Sequence, residues 1–508
     1  MSGKTRFDMV TTLGVFSECG RWPRPAVTGL PSHSMRAHPA GPRHGDVVAT
    51  PGVPPQPSSS ADALNPDLWP LTARVDDQGV LEVGGVAVTD LVAEYGSPLY
   101  VLDEVDVRTR AAQFAAAYDD PTMPADVYYA AKALLATTVA RWVSDEGLGI
   151  DASTGGELAV AIAAGVDPAR ILLHGSNKSL DELDDAISVG VGRIVIDSQI
   201  EIERIAQIAA ERDVVVDVLI RVTVGVEAHT HEFIATAHED QKFGLSLADG
   251  AAMDAVARIV AQPRLRLLGL HSHIGSQIFD ASGFEVAAAR IVGLAAQIRD
   301  ELGVEIAELN LGGGMGIAYV PDDDPLEVRD MATAIRGIVR DACERAGMTI
   351  PRLAFEPGRA IVGQAGITVY EVGTIKNVQL GHGSQRAYVS VDGGMSDNLR
   401  TALYDADYTC ALASRGSSED TMLSRVVGKH CESGDIVVRD AWLPNDLGPG
   451  DLIAVAGTGA YCRSMSSQYN YLPRPAVISV RDGRSRVVLR RETMDDLLRL
   501  DPGGMTHD

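Results

Sequence analysis

Residues 126–151 read DVYYAAKALLATTVARWVSDEGLGID. The stretch opens on a short apolar run, Asp126–Ala130, passes through Lys132–Glu146, where Ala, Leu, Val and Trp recur at helical spacing, and closes on a second apolar run, Leu148–Asp151. Strand, amphipathic helix and strand in that order make one βα unit of a parallel sheet. The alternation recurs downstream, with runs at Arg170–His174, Arg193–Asp197, Val214–Val224, Leu265–His273, Glu305–Leu311 and Arg352–Glu356. Between them lie amphipathic stretches such as Gly156–Ala164, Ile200–Ala210 and Phe284–Glu301. Eight such runs between residues 98 and 362 predict an α/β fold, a closed (β/α)8 TIM-like barrel of roughly 250 residues.

The chain, at 508 residues, is too long for one barrel alone. Past Gly363 the apolar period drops to two in Ile367–Ile375, Arg386–Asp392, Asp435–Val438, Leu452–Ala456 and Ala476–Leu489. Gly and Asp turns punctuate these segments, which predicts a C-terminal all-β domain, a sandwich or small barrel. Val80–Val88 is strand-like ahead of the barrel, so residues 63–97 and 363–500 are assigned to one β domain built from both ends of the chain. Residues 501–508 are assigned to a flexible tail.

Residues 1–62 are expected to form a disordered extension. The first 60 hold nine of the 25 prolines and six Lys/Arg against three Asp/Glu, with no helical or strand period. Met9–Phe16, broken by Thr11, Thr12 and Gly14, is too short for the apolar stretch of an export signal. A start at Met35 would leave part of this tail unmade.

Forty-four basic against 69 acidic side chains give a net charge of -25, which repels a polyphosphate backbone and argues against a nucleic-acid partner. With 45% hydrophobic and 22% charged residues, and no apolar run long enough for a bilayer, a membrane span is not expected. The five cysteines, Cys19, Cys343, Cys410, Cys431 and Cys462, are scattered and include no C-x-x-C pair. Neither a disulfide framework nor a zinc knuckle is indicated, and a cytoplasmic setting is expected.

In a barrel of this kind chemistry gathers where strands end. Lys132 follows the first run, Asp151 the second, His174 the third and Asp197 the fourth; Arg221 lies in the fifth. His273 and Ser276 follow the sixth, Gly312-Gly313-Gly314 the seventh, and Glu356 with Gly358 and Arg359 the eighth. A lysine at such a mouth is expected to be partly desolvated, with a lowered pKa suited to Schiff-base chemistry; the plainer reading is a snorkelling surface lysine. The glycine triplet could close backbone N–H groups on a phosphate, with a hydroxyl from Ser276, or be a tight turn. Glu356 could hold a pyridine nitrogen protonated while Arg359 meets a phosphate or carboxylate, or the two could form an internal ion pair. His273 could stack on a planar cofactor or be a satisfied structural histidine. His229-x-His231 and His271-x-His273 offer a metal-binding alternative, which explains neither the triplet nor Lys132; no metal is expected. Cys431, in a polar turn of the β domain, is a candidate acid or nucleophile, or an inert small side chain.

Read together, YYAAKA (128–133), HGSNKS (174–179), GVEAHTHEF (225–233), HSHIGSQIFD (271–280), LGGG (311–314), EPGRA (356–360), SDNLRTALY (396–404), GKHCESGD (428–435) and GAYC (459–462) resemble the fold type III pyridoxal-phosphate decarboxylases, most closely the diaminopimelate decarboxylases. The resemblance runs from about Asn65 to Leu498 and finds no counterpart for the first 60 residues. It implies pyridoxal 5'-phosphate carried covalently on Lys132, Glu356 on the pyridinium nitrogen and His273 stacked on the ring. Ser276, Gly312, Gly313, Gly314, Gly358, Arg359 and Tyr461 complete the implied cofactor site. It implies meso-2,6-diaminopimelate as substrate, gripped by Arg359, Arg400, Tyr404, Glu432 and Tyr461 and converted to L-lysine and CO2. It implies Cys431 as the proton donor, and a homodimer whose partner subunit supplies Cys431 and Glu432 to the site.

Overall fold

A computed structural model describes residues 64–225, 242–381 and 384–504. The expected N-terminal extension, Cys19, the His229-x-His231 pair and residues 505–508 lie outside the described residues.

Eight strands, Ala125–Ala130, Gly149–Ala152, Ile171–Leu173, Arg193–Ile196, Val216–Thr223, Leu265–His271, Glu308–Asn310 and Arg352–Phe355, run parallel in chain order. The barrel closes because the eighth strand pairs with the first, Leu353 opposite Ala125. Side chains alternate as the pleat requires. Tyr128, Leu172, Val195, Leu219 and Ala354 meet inside the barrel as one cluster, while neighbours such as Val127, Tyr129, Ile194 and Ile196 face outward into the layer shared with the helices.

The stretch Lys132–Glu146, expected as one helix, is broken. Ala131–Ala133 forms a 3₁₀ turn, Leu134 is extended, and the α-helix begins only at Thr137 and ends at Asp145. Carbonyls that a continuous helix would use internally are taken elsewhere. Ala133 O accepts from the Tyr461 N–H at 2.9 Å and the Ser464 hydroxyl at 3.0 Å, and Leu134 O accepts from the buried Tyr129 hydroxyl at 2.6 Å. These contacts stop the helix short and pin the turn that carries Lys132.

The β domain is a second, mixed sheet in the order Ile436–Pro444, Thr421–Val427, Ser384–Val391, Gly366–Gly381, Leu99–Asp103, Ala476–Arg481 and Arg484–Leu489. One of its interior strands, Leu99–Asp103, lies past the expected boundary at residue 98. It pairs antiparallel with the strand from Gly366 (Val101 opposite Ile367) and parallel with the strand from Ala476 (Val101 opposite Ile478). The chain thus crosses the β sheet before entering the barrel, and both ends share one core. Two expected single strands are hairpins. Ala476–Leu489 turns at Asp482-Gly483, and Val80–Val88 turns at Gly84-Gly85, with all four turn residues at positive φ. No helix among the described residues is long and apolar enough to cross a membrane.

Candidate active site

A cavity of about 750 Å³ opens at the C-terminal ends of the barrel strands and is walled on one side by the β domain, within the ~300–1,000 Å³ span of small-molecule sites. Lys132, His273, Ser276, Gly314, Glu356, Gly358, Arg359, Arg400, Tyr404 and Tyr461 all line it. Residues scattered over more than 300 positions of sequence are brought together because parallel strands end on one face and the β domain folds over that face.

The Lys132 side chain is 46% exposed, reaching into the cavity, with Nζ 3.5 Å from Oδ2 of Asp151, itself 1% exposed. Both Asp151 oxygens lack a hydrogen-bond partner. Burial works against the Lys132 ammonium, but Asp151, with Tyr461 and Glu356 behind it, outweighs burial and holds the amine above the usual lysine range. The lowered pKa expected from the sequence is therefore corrected. A carboxylate at the end of the second strand, absent from any reading of the lysine's own apolar flanks, reverses the sign.

Glu356 sits on the floor. Its Oε1 accepts from the Asn310 amide at 2.7 Å and lies 2.7 Å from His174 Nε2, and its Oε2 lies 3.3 Å from His271 Nε2. Burial would raise its pKa, yet the two histidines and their hydrogen bonds hold it well below the usual carboxylate range. His271, buried beside His174 and Arg221, falls to about 4 despite Glu356. It is therefore a neutral donor to the carboxylate. Among the described residues, His174, His271 and Glu356 form the one cluster spaced for a metal ion; in the structure they are bonded to each other.

His273 is pushed well below the usual histidine range by burial and by the nearby Lys132 and Arg221 charges. Its Nδ1 accepts from the Gly313 N–H at 3.3 Å, as a neutral ring must. This contact narrows the reading of the triplet. The Gly312 N–H is also occupied, by Asn310 Oδ1 at 2.9 Å. A Cβ on Gly313 would stand 2.0 Å from Glu356 O, and one on Gly312 would stand 2.7 Å from Ser272 O. Gly312 and Gly313 therefore serve close packing of three loops, and of the triplet only Gly314 faces the cavity.

Two arginines close the far wall. Arg359 opens the short helix Arg359–Val362 and donates to the Tyr319 hydroxyl and to Ser276 Oγ at 2.8 Å. Arg400 opens the helix Arg400–Tyr404 and donates to the Tyr408 hydroxyl. Both arginines are buried, at 9% and 5% exposure. Neither forms an ion pair with a carboxylate among the described residues, and the Nε of each has no partner. Buried cations without counter-ions are costly, and this arrangement calls for an anionic ligand. Tyr461 holds a positive φ of 60°, with its ring 4.7 Å from the Arg359 guanidinium. Tyr404 stands at the rim, 61% exposed.

Cys431 and Glu432 are not brought to this cavity. They lie on an exposed turn whose Cys431 N–H donates to Asn470 Oδ1 at 3.3 Å, beside His430, which is 2.8 Å from Ser396 Oγ. Sequence reasoning missed Asn310, Tyr319 and Tyr408. Asn310 immediately precedes the leucine and glycine run, a position that could have drawn notice. The two tyrosines carry no signal that separates them from core aromatics.

The chain matches the family described as "Pyridoxal-dependent decarboxylase, pyridoxal binding domain" over residues 104–363. It is 55% identical over 473 residues to the diaminopimelate decarboxylase of Mycobacterium leprae, covering 92% of this chain and 100% of that protein. It is 44% identical over 431 residues to the diaminopimelate decarboxylase of Bacillus subtilis, covering 85% and 97%. Among solved structures it is similar to diaminopimelate decarboxylase from M. jannaschii in co-complex with L-lysine, with a TM-score of 0.78 and 29% identity over 85% of this chain and 97% of that one. At 92% of this chain the M. leprae match is longer than residues 61–508, so part of the extension for which no counterpart was expected has one.

Proposed function

Since the chain belongs to the diaminopimelate decarboxylase family, we propose that it converts meso-2,6-diaminopimelate to L-lysine and CO2, with pyridoxal 5'-phosphate held on Lys132. The observation that carries this reading is the pair of buried guanidinium groups, Arg359 and Arg400, which face the same cavity as Lys132 and have no carboxylate partner among the described residues. The carboxylates of the substrate, together with a phosphate, supply the missing negative partners.

The residues present fit the cofactor. Lys132 offers the amine, Glu356 an ionised carboxylate with a lone pair of Oε2 still open, and His273 a neutral ring at the cavity wall. Ser276, Gly314, Gly358, Arg359 and Tyr461 would hold the phosphate end. Once bound, the cofactor supplies an electron sink for the pair left on carbon when CO2 departs. The protein's part is to set charge. Glu356, kept ionised by His174 and His271 and hydrogen-bonded by Asn310, would stabilise a proton on the ring nitrogen of the bound cofactor. Asp151, 3.5 Å from Nζ, would offset positive charge carried on the Lys132 nitrogen. Arg359, Arg400 and Tyr404 orient the substrate by its carboxylates, because a site built to pair such groups rejects a ligand that leaves them unpaired.

Proton return to the α-carbon needs an acid, and Cys431 Sγ is the candidate. Its exposure, and its absence from the cavity of its own chain, support a homodimer in which Cys431 of the partner subunit and Glu432 of the partner subunit complete each site. Four free cysteines among the described residues accord with the cytoplasmic setting.

The test is CO2 release from meso-diaminopimelate against ornithine and arginine. Release from the first alone is expected; equal or greater release from either diamine-forming substrate refutes the reading.

A further inference from the structure

Tyr319 touches both arginines of the far wall. Its hydroxyl accepts from Arg359, and its ring lies 4.6 Å from the Arg400 guanidinium and 5.7 Å from that of Arg359. Tyr408 meets the Tyr319 ring edge-on, with centroids 5.2 Å apart and an interplanar angle of 79°, and its hydroxyl accepts from Arg400. Both tyrosines are buried, at 6% and 3% exposure. The pair is anchored at the backbone: the Tyr319 N–H donates to Asp323 Oδ2 at 2.8 Å, and its carbonyl accepts from the Thr409 hydroxyl at 2.9 Å.

Two buried guanidinium groups side by side repel. The Tyr319 ring lies close to both and offsets that repulsion, and a phenolic oxygen takes one N–H from each; Ser276 takes a further one from Arg359, which leaves the remaining donors of the two forks for a ligand. We propose that Tyr319 and Tyr408 are positioning residues, an aromatic bracket that fixes Arg359 and Arg400 at a set spacing and thereby makes the site selective for a ligand with a carboxylate remote from the reacting amine.

The proposal rests on the decarboxylase reading and can fail separately from it. L-lysine retains the remote carboxylate of the substrate, whereas cadaverine, otherwise identical, lacks it. Calorimetric binding of both to the cofactor-loaded protein isolates that one group. Tyr319→Phe and Tyr408→Phe keep the rings and remove only the hydroxyls, and unchanged cofactor absorbance verifies that each variant folds. Loss of one hydrogen bond to a charged group corresponds to a fall of about tenfold or more. We expect each variant to bind L-lysine about tenfold more weakly and cadaverine within about twofold of the wild type, with a matching rise in KM for diaminopimelate and little change in kcat. Equal weakening of both ligands, or of neither, overturns the bracket. Absence of wild-type turnover of diaminopimelate would sink the decarboxylase reading instead, while the lysine-to-cadaverine ratio would still decide the bracket.

Discussion

Replacing Asp151 by Asn removes the negative charge nearest Lys132 while keeping the side chain's shape. At the 3.5 Å separation, Coulomb attraction is ~1.2 kcal/mol in bulk water and ~4.7 kcal/mol at an effective dielectric of about 20. Because 46% of the lysine side chain is exposed, solvent screening places the loss nearer the lower figure, about 2 kcal/mol. That energy corresponds to a fall of about 1.5 on the pH scale in the point at which the amine loses its proton. The direction is fixed, since Asp151 is the largest of the charges that, with Tyr461 and Glu356, together outweigh burial and keep the ammonium above the usual lysine range. The assay is competitive acetylation of the cofactor-free protein across pH, with the Lys132 peptide followed by mass spectrometry. In the Asp151→Asn variant the labelling midpoint should move down, with no comparable movement at surface lysines. An unmoved midpoint, or one that rises, would show that the carboxylate does not govern the amine and would remove the electrostatic account of this corner.

Glu356→Gln, with its ionised acceptor gone, should lower turnover by ~100-fold or more while cofactor content stays within about twofold; parallel loss of both would reduce the residue to a binding role. Asp397 in the β domain has its carboxyl pushed up to about 7, chiefly by burial, with the Gly394 N–H partly offsetting and Asp392 and Asp435 adding to it. The folded protein therefore keeps a proton that the unfolded chain releases near pH 4, and stability falls as pH rises from about 4 through 7, by at most of order 4 kcal/mol. Asp397→Asn, which retains an acceptor for the Gly394 N–H, should flatten that part of the Tm profile; parallel profiles for the two proteins would contradict it. Mixing the Lys132→Ala and Cys431→Ala proteins after reversible dissociation should recover about a quarter of wild-type activity if each site draws on two subunits, whereas no recovery would place both groups in one chain.

The barrel was legible because its strands are short apolar runs at regular intervals, and each observed strand falls within about two residues of its run or inside it. The helix after the first strand was not. Its early residues have helical composition, but Tyr129, Tyr461 and Ser464 capture the carbonyls it needs, and two of those three come from the far end of the chain. Leu99–Asp103 was misplaced for a related reason: an apolar run of five residues does not announce which sheet it joins. At the site, residues embedded in recognisable strings, such as Lys132, Glu356 and Arg400, line one cavity. The charge state of Lys132 and the packing duty of Gly312 and Gly313 depend on neighbours that only folding supplies. Tyr319 and Tyr408 matter through what they touch, and one sequence does not record contacts.

The proposed chemistry turns on a covalent bond between pyridoxal phosphate and the Lys132 amine. Borohydride reduction of the cofactor-loaded protein, followed by peptide mapping, tests it directly. A single stable adduct is expected on Lys132, in the tryptic peptide 111–141 that is left uncut at the modified lysine, and none on the buried Lys178. An adduct elsewhere, or none at all in a protein that still releases CO2, would contradict it.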